Sequence, residues 1–352
     1  MGAASLNGDP EPGGDLKLNG DPKRVALPET VLITGAAGNM GTMLARHLAG
    51  RVPRLRLMYH RTPLAADVAR TVGVEPVQAD LGDPRTIAPA VAGVDVVVHF
   101  AGVLFAPRPA RFLPITNVQW FAQLLDATLA AGVRKVVLAS FPQVEGPTTV
   151  DRPATGRLDR EPVSIHARTR LEAERLLMTR TERTATTPVV LRLGVVYGEG
   201  VLLIEAARRL ARHGLLCVWR EPTLLQLIAV PDYLRATETA ILRHDVGGIY
   251  HVGDEQPVTI QEFLDGLCAV WGYSRPRRVP MWTVRASAAL CELFALCART
   301  RAPLTPDIVT LGRVSHWGDT GRARADLVPE LICPTFSAGL RLFKPAAGVA
   351  SP

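Results

Sequence analysis

The chain has 352 residues, enough for a large core, so one elaborated domain or a domain with an added lobe is expected. Although 47% of it is hydrophobic, no uninterrupted apolar run is long enough to cross a bilayer, and no transmembrane helix is predicted. The formal charge is +7, but the basic residues are scattered over helix faces without interleaved aromatics; this argues against a nucleic-acid surface and leaves a positive field suited to an anionic cofactor or substrate.

Residues 1–29 are rich in Gly, Pro, Asp and Asn, repeat Leu-Asn-Gly-Asp-Pro at 6–10 and 18–22, and lack the apolar core of a secretory signal. They bury too little to offset the entropy of ordering and read as a flexible tail. Then Val31, Leu32 and Ile33 run into a turn with Gly35, Gly38 and Gly41, followed by a helical run with Met40, Leu44 and Leu48 on one face. A buried strand, a Gly-rich turn and a helix N-terminus form a pyrophosphate cradle: the backbone must approach the phosphates closely, and the helix end offers free N–H donors. The spacing is G-x-x-G-x-x-G, and Gly35, Gly38, Asn39, Met40 and Gly41 are the expected cofactor contacts.

Arg54–Tyr59 reads as the second strand. Roughly 20 residues past the glycines, an acid would bind the adenosine ribose. Tyr59, His60 and Arg61 stand there instead, so His60 and Arg61 favour the 2′-phosphate of NADP(H) over NAD(H); the alternative is an arginine facing solvent. A helix at 65–71, a strand over 75–80 ending in Asp80-Leu81, a helix at 87–92 and a strand over 95–100 follow. Ala101 and Gly102 fall where that strand would meet the cofactor. A helix at 117–131 ends at Gly132, a C-cap, and 135–140 is the fifth strand. This alternation predicts an α/β fold, a Rossmann-type doubly wound parallel sheet. A helix from about Ser164 to Arg183 and a strand at 189–193 complete it.

Beyond residue 200 the pattern is more helical: 202–212, 231–243, 259–271 and the strongly apolar 282–299, with a strand at 248–252. The predicted organisation is a tail to 29, a nucleotide-binding domain over 30–198, a smaller, mostly helical substrate lobe over 199–345 with some strands returning to the Rossmann sheet, and a tail from 346. Cysteines 217, 268, 291, 297 and 333 are odd in number and lack a C-x-x-C pair, which points to a reduced, cytoplasmic protein without a structural zinc or other metal site.

These residues together resemble the extended short-chain dehydrogenase/reductases, the NAD(P)-dependent epimerase/dehydratase group, over about 30–345. The resemblance rests on Thr34–Gly41, Asp80-Leu81, His99-Phe100-Ala101-Gly102, Asn117-Val118, 131–140, and Leu191-Arg-Leu-Gly-Val-Val-Tyr-Gly198. Leu304-Thr305 and 319–327 are most similar to the 3β-hydroxysteroid dehydrogenase branch. It implies cofactor contacts at Asp80, Leu81, Phe100, Ala101, Gly102 and Asn117, although Asn117 could equally cap a helix. It also implies a homodimer formed through the helices that carry Asn117 and His166.

The family's Tyr-x-x-x-Lys pair is missing. The tyrosine position holds His166 and the lysine position Arg170; the serine position holds Phe141, with Ser140 just before it. Lysines occur only at 17, 23, 135 and 344, and no tyrosine has one four residues on. His166 and Arg170 share a helix face. An imidazole titrates near neutrality and could handle the substrate's proton, while Arg170 holds the nicotinamide ribose. Glu145, projecting from the end of the fifth strand, is a second titratable group that could pair with His166 and restore the imidazolium. The alternative is that both are inherited helix residues without chemistry. His99 reads as a packing residue, Tyr197 as pocket floor, and 282–296 as the lining of an apolar pocket, a core helix or a dimer helix.

Three functions fit. One is an atypical NADP(H)-dependent oxidoreductase or epimerase for an apolar small molecule, with His166 as proton donor or acceptor. Another is a non-redox cyclase, isomerase, lyase or dehydratase using His166 and Glu145. The third is a non-catalytic cofactor sensor or scaffold. Arginine-for-lysine usage and abundant alanine associate the chain with GC-rich bacterial genomes and specialised metabolism.

Overall fold

The computed structural model describes residues 27–103 and 106–343; the two expected tails lie outside these residues apart from 27–29. Seven strands form one parallel sheet: β1 (Thr30–Thr34), β2 (Arg54–Tyr59), β3 (Val74–Gln78), β4 (Val96–His99), β5 (Lys135–Ser140), β6 (Thr187–Leu193) and β7 (Gly248–Val252). Their spatial order is β7-β6-β5-β4-β1-β2-β3. The chain therefore starts in the middle of the sheet, winds outward to β3, and returns past β1 to build the other half. This is the doubly wound arrangement expected from the alternation of strands and helices.

Successive side chains of a strand point to opposite faces, so β1 needs apolar residues on both. Val31 and Ile33 pack with Leu44 and Leu48 of helix α1 (Asn39–Leu48). Leu32, one position between them, packs on the other side with Phe121 and Leu124 of α2 (Trp120–Ala130) and Leu177 of α3 (Ile165–Thr181). The continuous apolar runs seen in sequence are thus strands buried on both faces. β7 joins the sheet from beyond residue 200, beside β6, so the lobe is not contiguous in sequence.

The helix predicted from Asn117 starts differently. Pro114–Gln119 is a π-helical turn, continued by α2 at Trp120. Wide turns of this kind break the regular ladder and re-aim side chains, often at functional sites. Here the turn carries Asn117.

The lobe has its own core, in which Tyr197, Phe263, Trp271, Phe336 and Phe343 meet. Its longest described helix, α4 (Met281–Ala298), excludes one of the three alternatives read for 282–296. Only Ala288 and Ala295 are buried, so it is not a core helix. By length and composition alone it would pass for a membrane span, with a mean hydropathy of 1.3. Arg285 and Glu292 interrupt its apolar run in sequence, which is why the sequence did not flag it.

Candidate active site

The Gly-rich turn has the shape a pyrophosphate needs. Gly35 has φ +70°, and a Cβ there would lie 2.7 Å from Ala101 N, so this turn packs directly against the chain leaving β4. A Cβ on Gly41 would stand 2.3 Å from Gly35 O, which brings α1 hard against the turn. At Gly38 the added atom meets only Gly35 O, at 3.1 Å, and otherwise open space. That space beside a helix N-terminus is where a phosphate fits. The Asn39 amide faces the lobe rather than the turn: it donates to Gly200 O at 2.8 Å and accepts from Leu202 N at 3.0 Å. Met40 is partly buried against the core, and its carbonyl accepts from the Tyr233 hydroxyl.

The expected adenosine contacts gather at the ends of β2 and β3. His60 Nε2 lies 3.4 Å from Asp80 Oδ2, and both side chains, with Arg61, reach solvent. Asp80 Oδ1 accepts from Gly82 N, and Leu81 is buried. At the end of β4, Phe100 stands edge-on to Tyr233. Ala101 N donates to the Thr34 hydroxyl, which also contacts His99 Nδ1 at 2.8 Å. Burial, reinforced by the Arg170 charge, pushes His99 down to about 3, so it stays neutral.

Helix α3 carries His166, Arg170 and Glu174 four residues apart, hence on one face. The His166 side chain is buried, and its Nδ1 lies 2.6 Å from Asp307 Oδ2. Asp307 comes from the first turn of helix α5 (Pro306–Gly312), held by its Thr305 N-cap. The same carboxylate accepts from Ser164 Oγ at 2.9 Å and from the backbone N–H groups of Ile165 and His166, so it also caps α3. Burial alone would raise the Asp307 pKa, but the hydrogen bonds from His166, Ile165 and Ser164 prevail and lower it. An ionised carboxylate only accepts, so Nδ1 carries the proton and Nε2 is the working nitrogen. Nε2 is buried and has no hydrogen-bond partner among the described residues.

One turn on, Arg170 Nη2 lies 3.4 Å from where a Cβ on Gly102 would sit, and Asn117 Oδ1 lies 3.8 Å from the same point. Asn117 Nδ2 donates to Thr169 Oγ1, while Asn117 Oδ1 and Arg170 Nε are buried without partners among the described residues. Unpartnered polar atoms beside a glycine at a strand end are what a nicotinamide ribose would satisfy. The residues present therefore fit a dinucleotide.

A family model described as the NAD dependent epimerase/dehydratase family matches residues 31–253. The chain belongs to this family. Among curated relatives, the 2-alkyl-3-oxoalkanoate reductase of Stenotrophomonas maltophilia is 26% identical over 331 residues, covering 89% of this chain and 98% of that protein. The ceramide reductase of Caulobacter vibrioides is 26% identical over 310 residues, covering 85% and 89%. Among solved structures, MoeE5 in complex with UDP-glucuronic acid and NAD superposes with a TM-score of 0.70 at 21% identity, covering 89% of this chain and 97% of that one. This chain is accordingly an NAD(P)-dependent oxidoreductase-type enzyme of the epimerase/dehydratase family.

Two of the expected catalytic residues, Glu145 and Ser140, are placed elsewhere. Glu145 does not pair with His166. It is buried against Arg192, His251 and the backbone N–H groups of Gly156 and Arg157. Ser140 donates to Glu174, which in turn takes Arg192 Nη2 at 2.6 Å. The cause lies in sheet register: Ser140, Arg192 and His251 sit opposite one another on β5, β6 and β7. A fully buried guanidinium in the middle of that row draws in both glutamates. Burial would raise the Glu145 pKa, but the His251 hydrogen bond and the Arg192 charge hold it below the ordinary range.

Asp307 was missed because a threonine N-cap followed by a first-turn acid reads as routine capping. A cavity of about 660 Å³ runs along Gly38, Asn39, Thr42 and Met43 toward Gly200 and Leu202 of the lobe; it does not reach His166.

Proposed function

We propose that this enzyme is an NADPH-dependent ketoreductase for a carbonyl compound bearing a long apolar chain. The single observation that carries the proposal is the buried His166–Asp307 pair, with Nε2 unpartnered one turn from an arginine beside Gly102. A dihydronicotinamide held beside Gly102 would supply the hydride for the carbonyl carbon. His166, protonated, gives its Nε2 proton to the substrate oxygen, and Asp307 holds the ring in place and steadies its charge before the transfer. Arg170 and Asn117 would hold the ribose. Arg61 favours the 2′-phosphate, because no acid stands at 59–61; His60 lies beside it, 3.4 Å from Asp80. The two relatives, reductases of an alkylated oxoalkanoate and of a ceramide, support the apolar chain.

The non-redox reading used Glu145 as a second titratable group, and Glu145 is committed to Arg192 and His251. The reductase reading needs only the one imidazole. It also pairs two copies through α2 and α3, along the groove of about 330 Å³ lined by Val118, Arg168 and Glu172. The direct test follows NADPH oxidation with β-keto esters of increasing chain length. Turnover that rises with chain length and falls at least ~10²-fold in His166→Ala supports the reading. NADPH binding without oxidation of any ester, or an unchanged rate in His166→Ala, overturns it.

A further inference from the structure

We propose that the exposed face of α4 docks along an anionic lipid surface. Eighteen residues make a helix about 27 Å long. It rests on the lobe through Ala288 and Ala295 and turns Trp282, Leu290, Leu293 and Phe294 to solvent, each more than half exposed. Trp282, Ala286, Ala289, Leu293 and Cys297 recur at helical spacing and form one continuous exposed stripe. Isolated exposed apolar side chains are ordinary, but a stripe along a whole helix marks a binding surface.

Charge decides the partner. Between residues 275 and 301 there are six arginines, at 275, 277, 278, 285, 299 and 301, against one acid, Glu292. Glu292 is engaged by the backbone N–H of Arg108, and Arg278 by Asp265; the other five arginines are exposed. Arg275 and Arg277 precede the helix, and Arg299 and Arg301 follow it. A second copy pairing through this helix would set arginine against arginine in either orientation. An anionic bilayer accepts both basic ends and the apolar stripe together. The helix lies on the bilayer rather than across it, because one side is held against the protein and both ends are charged.

The placement has a consequence for access. Glu292 ties α4 to the segment leading from β4, and α4 packs on α5, which supplies Asp307. Docking would bring a lipid surface beside the reaction site. The docking proposal stands on exposure and charge and does not depend on the reductase reading.

The test is flotation of the full chain with vesicles of phosphatidylcholine and phosphatidylglycerol, and with phosphatidylcholine alone. The wild type should float with the anionic vesicles at low salt and lose this at high salt. Leu290→Glu/Phe294→Glu should reduce partitioning at least tenfold, and Arg275→Gln/Arg277→Gln by about fivefold per arginine. Circular dichroism and NADPH binding check that each variant is folded. Brominated lipid should quench fluorescence in the wild type and much less in Trp282→Phe. No partitioning of the wild type, equal partitioning of the Leu290/Phe294 variant, or light scattering showing that the face instead joins two copies would each overturn the proposal.

Discussion

Replacing Asp307 with Asn tests whether the imidazole works through its carboxylate. The contact is 2.6 Å long, the imidazole is buried, and the carboxylate side chain is 17% exposed. A hydrogen bond to a charged group in such surroundings contributes about 1.5–3 kcal/mol. If His166 must carry a proton in the reacting state, that loss appears in the barrier as a fall of about 10- to 150-fold in kcat. The asparagine keeps one acceptor. Its NH₂ must nonetheless face one of the donors that Asp307 now takes, namely His166 Nδ1, Ser164 Oγ, Ile165 N and His166 N. A stability loss of about 1–3 kcal/mol should accompany the kinetic one. Asp307→Ala also removes the cap of α3 and should cost about 1 kcal/mol more. The assay is steady-state NADPH oxidation with thermal unfolding on the same samples. KM for NADPH should stay within about threefold, because Arg170 and the Gly-rich turn are untouched. A folded Asp307→Asn enzyme with wild-type kcat would refute the reasoning.

Gly38→Ala should fold with only a small stability loss, since its Cβ meets just Gly35 O at 3.1 Å, and lose at least about tenfold in NADPH affinity by calorimetry, because that Cβ otherwise enters the space beside α1. Gly41→Ala places a Cβ 2.3 Å from Gly35 O and should lower stability by several kcal/mol in urea unfolding. Arg61→Glu should shift the NADPH-to-NADH preference in kcat/KM by at least about tenfold toward NADH, through repulsion of the 2′-phosphate. Asp254 is buried without a hydrogen-bond partner for either oxygen, and burial raises it to about 8. The folded protein therefore holds a proton that the unfolded chain releases near pH 4, so stability falls as pH rises from about 4 to 8. Asp254→Asn should remove this dependence, with a gain of about 1–2 kcal/mol at pH 5 and several at pH 8 in thermal unfolding. A gain independent of pH would contradict the assignment.

Local chemistry made the fold legible. Val31–Ile33, Val96–Val98 and Val136–Leu138 are short apolar runs bounded by turns, and strands buried on both faces leave such runs in any sequence. Gly35, Gly38 and Gly41 announced the cradle: Gly35 and Gly41 have backbone reasons that only glycine meets, and Gly38 leaves room beside the helix N-terminus. Helical spacing alone put His166 and Arg170 on one face. Long-range placement decided the rest. Asp307 meets His166 across 141 residues, and nothing local distinguishes it from any acid in a first helical turn. Glu145 goes to Arg192 and His251 because three strands align in register, a fact of sheet pairing that no single segment encodes. Whether the apolar α4 lies inside the protein or on its surface depends on what packs against it; composition is blind to that, and the folded lobe leaves most of the helix uncovered.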